Sequence, residues 1–189
     1  MKRILLALLI TLIFPFGVKA EVQTYDLHDT LELEGIEIKN PEYEENDDQV
    51  FIYLFRGEGC IHCKHFLEFL NELSEEEEYG DMFKLRAYEV SYNQDNSNLK
   101  DRIVDFFNID ASGVPLIVIG ENTFYGFSEE HEDKIKTAIK NEYESEERYD
   151  VFEEMQKKED AKNPNDALYI LIPLVGIGII AYIIKKSKD

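Results

Sequence analysis

Hydrophobic and polar positions follow two different periods along the chain, and each change of period marks a predicted element. Six consecutive apolar or aromatic residues at 50–55 are typical of a strand that is buried on both faces. From residue 60 the period lengthens, and apolar residues between 66 and 73 recur at helical spacing. This change predicts a strand, a short turn and then a helix that ends near residue 74.

The same two periods predict the elements that follow. They are a strand at 82–90, a helix at 98–107, a strand at 114–119, a strand at 123–127 and a helix that begins after Ser128. The last two strands are separated by a turn at 120–122, which favours a hairpin, and Ser128 suits the N-cap of the final helix. Strands that alternate with helices and end in a hairpin predict an α/β, three-layer domain with a central mixed sheet.

Two further segments flank this domain, to which we assign residues 45–142. Residues 21–48 contain short alternating stretches at 31–34 and 36–38, and this period of two predicts half-buried strands in an N-terminal extension, residues 21–44. More than half of residues 140–164 are charged. They predict a helical extension or charged stalk, residues 143–166, outside the core.

The first twenty residues resemble a secretory signal. Lys2 and Arg3 precede an apolar run at 4–18, and Val18-Lys19-Ala20 places compact residues at the positions that a signal peptidase reads. We predict a signal peptide, residues 1–20, cleaved after Ala20. An uncleaved N-terminal anchor is the alternative, and either form exports the chain.

A second apolar segment, residues 167–184, predicts a transmembrane helix. Its eighteen uncharged residues span about 27 Å as a helix, close to the hydrocarbon thickness of about 30 Å; a buried core helix is the alternative. Lys185, Lys186 and Lys188 follow, and such cations favour the cytoplasmic side. We therefore expect a single-pass protein of the cell membrane, in contact with the bilayer through this helix. Its N-terminal domain is extracytoplasmic and its tail, residues 185–189, is cytoplasmic.

The charge of the chain disfavours one class of partner. The net charge is −20, which repels nucleic acid and anionic lipid. We predict no nucleic-acid partner, and we interpret the acidic surface as one that keeps an exported domain soluble.

Cys60 and Cys63 are the only cysteines, in a chain predicted to enter a compartment where disulfides persist. Cys60 lies where the strand ends and the helix begins. There, unpaired amides and partial positive charge stabilise a thiolate, so we expect the pKa of Cys60 to lie well below about 8.5. Cys63 lies one turn further on, less exposed, where it can resolve a mixed disulfide.

His62, between the two cysteines, is a candidate catalytic residue. Its imidazole can donate to the Cys60 thiolate or place positive charge beside it, and stabilising the reduced form makes the disulfide a stronger oxidant. An ordinary surface histidine is the alternative interpretation.

Three other uses of these residues are weaker. A zinc site from Cys60, His62, Cys63 and His65 requires a broken helix, since at about 100° per residue the cysteines share one face and the histidines another. A structural disulfide across two residues removes little entropy from the unfolded chain. A cysteine–histidine hydrolase needs a distant histidine, and the other two histidines have no supporting context. We predict no metal and no other cofactor.

Together these features resemble the thioredoxin superfamily across residues 45–142. The matching pieces are the strand at 50–55, Cys60-Ile61-His62-Cys63 opening a helix, Gly113-Val114-Pro115 opening a strand, the hairpin that ends at Tyr125-Gly126-Phe127, and the last helix. The resemblance implies that Cys60 is the nucleophile, that Cys63 resolves, and that Pro115 is a cis-proline beside the dithiol. It further implies that Ile61 and the backbone of Val114 bind an extended substrate segment.

Within the superfamily, the histidine before the second cysteine is similar to the DsbA-like oxidases. Several positions depart from the family pattern. Gly59 replaces a usual tryptophan, and Ile61 replaces a proline or glycine. Leu54 occupies the position where the family often has a buried carboxylate. Glu58 is the nearest acidic substitute, although it can also be interpreted as a solvated loop residue. The direction of electron flow, oxidase or reductase, is therefore left open.

The expected function is that of a membrane-tethered thiol–disulfide oxidoreductase. Its partners would be cysteine-containing exported proteins and a membrane or extracytoplasmic redox partner. The alternative is a redox-inactive thioredoxin-fold module that serves an export or membrane complex through the surface of Val114 and Pro115.

Overall fold

The computed structural model describes residues 22–162. In chain order, its elements are helix α1 (Leu27–Leu33), strand β1 (Val50–Arg56), helix α2 (Ile61–Leu73), strand β2 (Phe83–Glu89), helix α3 (Gln94–Phe107), strand β3 (Leu116–Ile119), strand β4 (Asn122–Tyr125), helix α4 (Glu129–Tyr143) and helix α5 (Val151–Lys162). The predicted α/β class is confirmed for this part of the chain.

The four strands form one mixed sheet in the order β2-β1-β3-β4. Strands β1 and β2 are parallel, with Ile52 opposite Leu85, whereas β3 runs antiparallel to β1. Strands β3 and β4 form the predicted hairpin. Tyr25 adds one isolated antiparallel bridge to Ala87 of β2.

Both faces of the sheet are covered, because β1 alternates its side chains between two cores. Ile52 and Leu54 belong to a core that includes buried residues of α1, α2 and α4. Tyr53 and Phe55 belong to a second core with residues of α3 and α5. The result is the three-layer arrangement that the alternation of strands and helices predicts.

Helix α2 follows the predicted apolar stripe. Its core-facing residues are all buried: Phe66, Leu67, Phe69, Leu70 and Leu73. Helix α3 begins at Gln94, four residues earlier than predicted. The reason is the N-cap Asn93, whose side-chain oxygen accepts the Asn96 N–H at 3.0 Å and so satisfies one of the free amides of the first turn.

The prediction of half-buried strands in the N-terminal extension is wrong for Leu27–Leu33, which is a helix. Asp26 caps it, because its carboxylate accepts the Asp29 N–H at 2.8 Å. Leu27 and Leu31, four residues apart, are both buried, whereas Leu33 is 58% exposed. The apparent alternation therefore masked the helical spacing that places Leu27 and Leu31 on one face.

The predicted charged stalk is helical over Val151–Lys162, but the placement of this part outside the core is wrong. Val151 and Met155 of α5 are 1% and 6% exposed and pack in the second core. At the start of the helix, the Asp150 carboxylate accepts a hydrogen bond from the Tyr53 hydroxyl at 2.6 Å. Two apolar residues one turn apart are enough to hold α5 on the sheet while its charged residues face water. The packed domain therefore extends beyond residue 142.

Three predicted segments lie outside the described residues: the signal peptide at 1–20, the transmembrane helix at 167–184 and the tail at 185–189. Within residues 22–162, none of the helices combines the length and apolarity needed to cross a bilayer.

Buried tyrosines should make the fold sensitive to alkali. Burial raises the pKa of Tyr43, of Tyr53 and of Tyr88, in the last case to about 12. Folding therefore favours the neutral phenols, and this stabilisation is complete below the ordinary phenol pKa of about 10 and is lost as the pH rises above it. Each phenol should contribute at most about 1.4 kcal/mol per pH unit to the slope.

Urea unfolding between pH 9 and pH 12 measures this slope. Tyr88→Phe should reduce it, whereas Tyr92→Phe, at a site that is 81% exposed, should leave it unchanged. A free energy of unfolding that stays constant from pH 9 to pH 12 would contradict the prediction.

Candidate redox site

Cys60 and Cys63 are joined as a disulfide at the start of α2, with their Cα atoms 5.2 Å apart. The turn between β1 and α2 brings the pair to one end of the sheet. Its second glycine, Gly59, has a φ of +69°, which favours a residue without a side chain. The conformation of this turn accounts for the glycine at position 59.

Cys60 is the N-cap of α2, with extended backbone angles. Its sulfur accepts the Cys63 N–H at an N···S distance of 3.2 Å. An amide of the first helical turn is therefore directed at the Cys60 sulfur, which is the placement that the sequence predicts. The same amide can stabilise negative charge on that sulfur once the disulfide is reduced.

The two sulfurs differ in accessibility. Cys60 is half-buried, whereas Cys63 is 2% exposed and lies in the protein interior. A sulfur of another molecule can reach Cys60 first. This difference agrees with the predicted order of attack at Cys60 and resolution by Cys63.

The loop before β3 lies beside the dithiol. The Val114–Pro115 peptide bond is cis, as the resemblance implies, and the Val114 carbonyl oxygen lies 3.8 Å from the Cys60 sulfur. Pro115 is buried, Val114 is half-buried and Ile61 is 56% exposed. The structure therefore brings together Cys60, Cys63, Val114 and Pro115. Whether Val114 and Ile61 bind substrate stays a prediction.

His62 is exposed, and its contact differs from the one expected. Its Nδ1 donates to the Phe127 carbonyl at 3.2 Å, since a carbonyl can only accept. In the disulfide form, His62 is thus bound to the loop before α4 and not to Cys60. Its proposed action on the Cys60 thiolate stays a prediction for the reduced form.

Leu54 and Glu58, the two positions considered for a carboxylate beside the dithiol, differ in burial. Leu54 is fully buried in the first core, and the substitute considered from the sequence, Glu58, is exposed. Its backbone N–H donates to the Ser91 hydroxyl at 3.2 Å, which fixes the loop. The Glu58 carboxylate is in water, as its interpretation as a solvated loop residue predicts.

Two side chains that the sequence did not single out hold the loop that carries Val114. The Tyr125 hydroxyl accepts the Gly113 N–H at 3.0 Å. The Lys100 ammonium, on a side chain that is only 7% exposed, donates to the Ala111 carbonyl at 3.0 Å. A signal for Lys100 was present, because it lies three residues before the buried Ile103 on the same face of α3. Nothing in the local sequence pattern marks the role of Tyr125.

The described part of the chain does not contain a cluster of side chains suited to a metal ion. Among residues 22–162, there is no group of three or more histidine, cysteine or carboxylate side chains that could hold a metal ion.

A small α/β domain with a mixed sheet and a Cys60–Cys63 pair at this spacing is compatible with a thioredoxin-like fold. Comparison of the chain with protein-family models, with curated proteins and with solved structures finds no match.

Proposed function

We propose that this protein is a thioredoxin-like thiol–disulfide oxidoreductase that acts on cysteine-containing exported polypeptides. In this proposal, residues 167–184 tether it to the cell membrane with the redox domain on the outer side. The observation that carries the redox proposal is the geometry at Cys60, whose sulfur accepts the Cys63 N–H at the start of α2 while Cys63 lies buried behind it.

The exchange has two balanced steps. In the oxidising direction, a substrate thiolate attacks the Cys60 sulfur, the Cys60–Cys63 bond breaks, and Cys63 leaves with the electron pair. A second substrate thiolate then attacks the substrate sulfur of the mixed disulfide, and Cys60 leaves as a thiolate. Two electrons pass from the substrate to the Cys60–Cys63 disulfide, which becomes a dithiol. In the reducing direction, both steps run backwards.

Helix α2 favours Cys60 in both directions. When Cys60 is the nucleophile, part of it must be present as a thiolate at neutral pH. When Cys60 is the leaving group, a lower pKa of its thiol makes it depart faster. The Cys63 N–H at 3.2 Å from the Cys60 sulfur and the partial positive charge of the helix start stabilise the anion that both roles require.

The surface around Cys60 suits a polypeptide substrate. Ile61 and Tyr125, which are 56% and 50% exposed, are two of the large hydrophobic residues that the described chain leaves open to solvent. Tyr125 contacts the loop that carries Val114, so it lies on the same side as the dithiol. A redox partner in the membrane or outside the cytoplasm must then restore the starting redox state of the Cys60–Cys63 pair after each cycle.

The reduction potential of the Cys60–Cys63 pair tests the proposal and decides the direction of electron flow. We expect a value between about −270 mV, typical of a reductant, and about −120 mV, typical of an oxidant. Equilibration of the full-length protein with glutathione redox buffers, followed by alkylation and mass determination, measures it. A potential below about −300 mV is characteristic of a structural disulfide and would contradict a redox function.

A paired activity assay separates the enzyme from the redox-inactive module. Full-length protein should accelerate either the reduction of insulin or the oxidative refolding of a reduced disulfide protein. If the wild-type protein accelerates neither reaction, the binding module becomes the better interpretation.

A further inference from the structure

Two backbone groups of opposite polarity face the Cys60 sulfur. The Cys63 N–H lies at an N···S distance of 3.2 Å and stabilises negative charge on the sulfur. The Val114 carbonyl oxygen lies 3.8 Å from the same sulfur. Because a carbonyl oxygen carries partial negative charge and can only accept, it favours the neutral thiol of the reduced protein over the thiolate. The stability of the Cys60 thiolate therefore depends on how closely each group is held.

The two groups are held in different ways. The Cys63 N–H belongs to the first turn of α2 and is fixed by the regular geometry of that helix. The Val114 carbonyl belongs to residues 108–115, which form neither a helix nor a strand. Its distance from Cys60 therefore depends on contacts between this loop and other elements.

In the described part of the chain, hydrogen bonds from three neighbouring residues anchor the loop. They join Lys100 Nζ to the Ala111 carbonyl at 3.0 Å, the Gly126 N–H to the Pro115 carbonyl at 2.8 Å, and the Gly113 N–H to the Tyr125 hydroxyl at 3.0 Å. The bond to Tyr125 is made by the residue directly before Val114. It is also the bond that a substitution can remove while the aromatic ring stays in place.

Gly113 and the Tyr125 hydroxyl are in tight contact. A Cβ added to Gly113 would lie 2.7 Å from the hydroxyl oxygen, whereas the nearest ring carbon, Cζ, would be 3.5 Å away. The Val114 side chain lies against the dithiol turn, since a Cβ added to Gly57 would come within 3.2 Å of Val114 Cγ2. The loop has little room to approach the turn, so loss of the Tyr125 bond should let the Val114 carbonyl move away from Cys60.

We propose that Tyr125 is a positioning residue for the Cys60–Cys63 pair, whose hydroxyl holds the Val114 carbonyl against the Cys60 sulfur through Gly113. The inference rests on the proposed function, because it concerns the redox chemistry of this pair. Held in this position, the carbonyl destabilises the Cys60 thiolate. It therefore makes the reduced form less stable and the disulfide a weaker oxidant.

Tyr125→Phe tests this role, because it keeps the ring and removes the hydroxyl. Full-length protein is equilibrated with glutathione at pH 8. Two glutathione thiols give two electrons to the Cys60–Cys63 bond, which breaks, and the two glutathione sulfurs are joined as glutathione disulfide. We expect the equilibrium constant to shift about two- to fivefold toward the dithiol, within the effect of one lost hydrogen bond. This shift corresponds to a reduction potential about 9–21 mV more positive.

Tyr92→Phe is the matched control. It removes the same atom from a tyrosine that is 81% exposed, and it should leave the equilibrium constant unchanged. The proposal would be overturned by an unchanged constant in Tyr125→Phe, by a shift toward the disulfide, or by an equal shift in Tyr92→Phe.

A second variant asks whether the hydroxyl acts through Gly113. Gly113 is not among the glycines with positive φ, so alanine suits its backbone. Gly113→Ala places a Cβ 2.7 Å from the Tyr125 hydroxyl, so it should break the same hydrogen bond and cause the same shift. In the Tyr125→Phe background the nearest ring carbon is 3.5 Å away, and alanine should add nothing. Two shifts that multiply in the double variant would mean that the residues act independently and would overturn the proposal.

The ultraviolet absorbance of the thiolate shows whether the effect is on Cys60. In full-length protein carrying Cys63→Ser, Tyr125→Phe should lower the pKa of Cys60 by about 0.3–0.7, the same two- to fivefold factor. Neither substitution changes the titratable groups nearest to Cys60 in the sequence, which are Glu58 and His62. An unchanged or raised pKa would contradict the role assigned to the Val114 carbonyl.

Failure of this inference and failure of the proposed function give different results. If the wild-type protein exchanges no disulfides with polypeptides, the proposed function is refuted, but the shift between wild type and Tyr125→Phe in glutathione still supports the role of Tyr125. If the wild-type protein is active and all variants share its equilibrium constant, only the role of Tyr125 is refuted.

Discussion

Full-length protein in which serine replaces Cys60 should lose disulfide exchange down to the uncatalysed rate, a fall of at least about 10³-fold. The reason is that Cys60 carries the only sulfur of the pair that a substrate can reach, since Cys63 is 2% exposed. Cys63→Ser should behave differently. It keeps the attacking sulfur and removes the resolving one, so it should accumulate a covalent mixed disulfide with the substrate.

Electrophoresis without reductant and mass determination of the intact adduct distinguish the two variants. Cys60→Ser should give no adduct, and Cys63→Ser should give an adduct whose mass is the sum of both partners. Circular dichroism is the control for folding, since a disulfide that closes two residues contributes little stability and both variants should fold. Adducts that form through Cys63 in the Cys60→Ser variant would contradict the assigned order of attack.

Replacing Val151 with aspartate should destabilise the domain by about 3–5 kcal/mol, the cost of a buried charge without a partner. Val151 is 1% exposed and lies in the second core with Tyr53 and Leu116. Its neighbour Asp150 is also acidic and therefore cannot compensate a negative charge at position 151. Urea unfolding of the full-length protein, followed by circular dichroism, measures the loss.

Gln156→Asp is the matched control, because Gln156 lies on the exposed face of the same helix. It introduces the same charge and should change the free energy of unfolding by no more than about 0.5 kcal/mol. Equal effects of the two substitutions would mean that α5 is not held on the sheet and would restore the interpretation of this segment as a separate stalk.

The central strand, the dithiol turn and α2 could be predicted because their signals are local. A run of six apolar residues that is rich in β-formers and followed at once by a glycine turn favours a buried strand, and the recurrence from Phe66 to Leu73 favours a helix. The cysteine pair lies at the change of period, so its position at a helix start followed directly. The hairpin of β3 and β4 was similarly marked by its turn.

Helices α1 and α5 were misjudged because their signals are sparse. In α1, a seven-residue helix, one pair of leucines four residues apart competes with an equally short alternation of Leu31 and Leu33. In α5, charged residues surround Val151 and Met155 in the sequence and hide their spacing. Only the sheet face that they pack against shows that they belong to the core. Tertiary packing decides both cases, and a short sequence window does not contain it.

The parts of the site that escaped prediction are contacts between residues far apart in the chain. Gly113 and Tyr125, or Glu58 and Ser91, meet only because the sheet brings their elements together. Hydroxyl and amide groups have no periodic pattern that would reveal such meetings. The cysteines were found because their spacing coincides with the change from a strand to a helix.

The docking of α5 has a consequence for where the proposed enzyme can work. A free stalk of twenty-four residues, 143–166, could extend about 80 Å from the bilayer. With α5 folded onto the sheet through Lys162, only residues 163–166 are left before the proposed anchor, and four residues bridge at most about 14 Å. We therefore expect the domain to stay close to the bilayer, where it would meet polypeptides as they leave the membrane rather than those that have already diffused away.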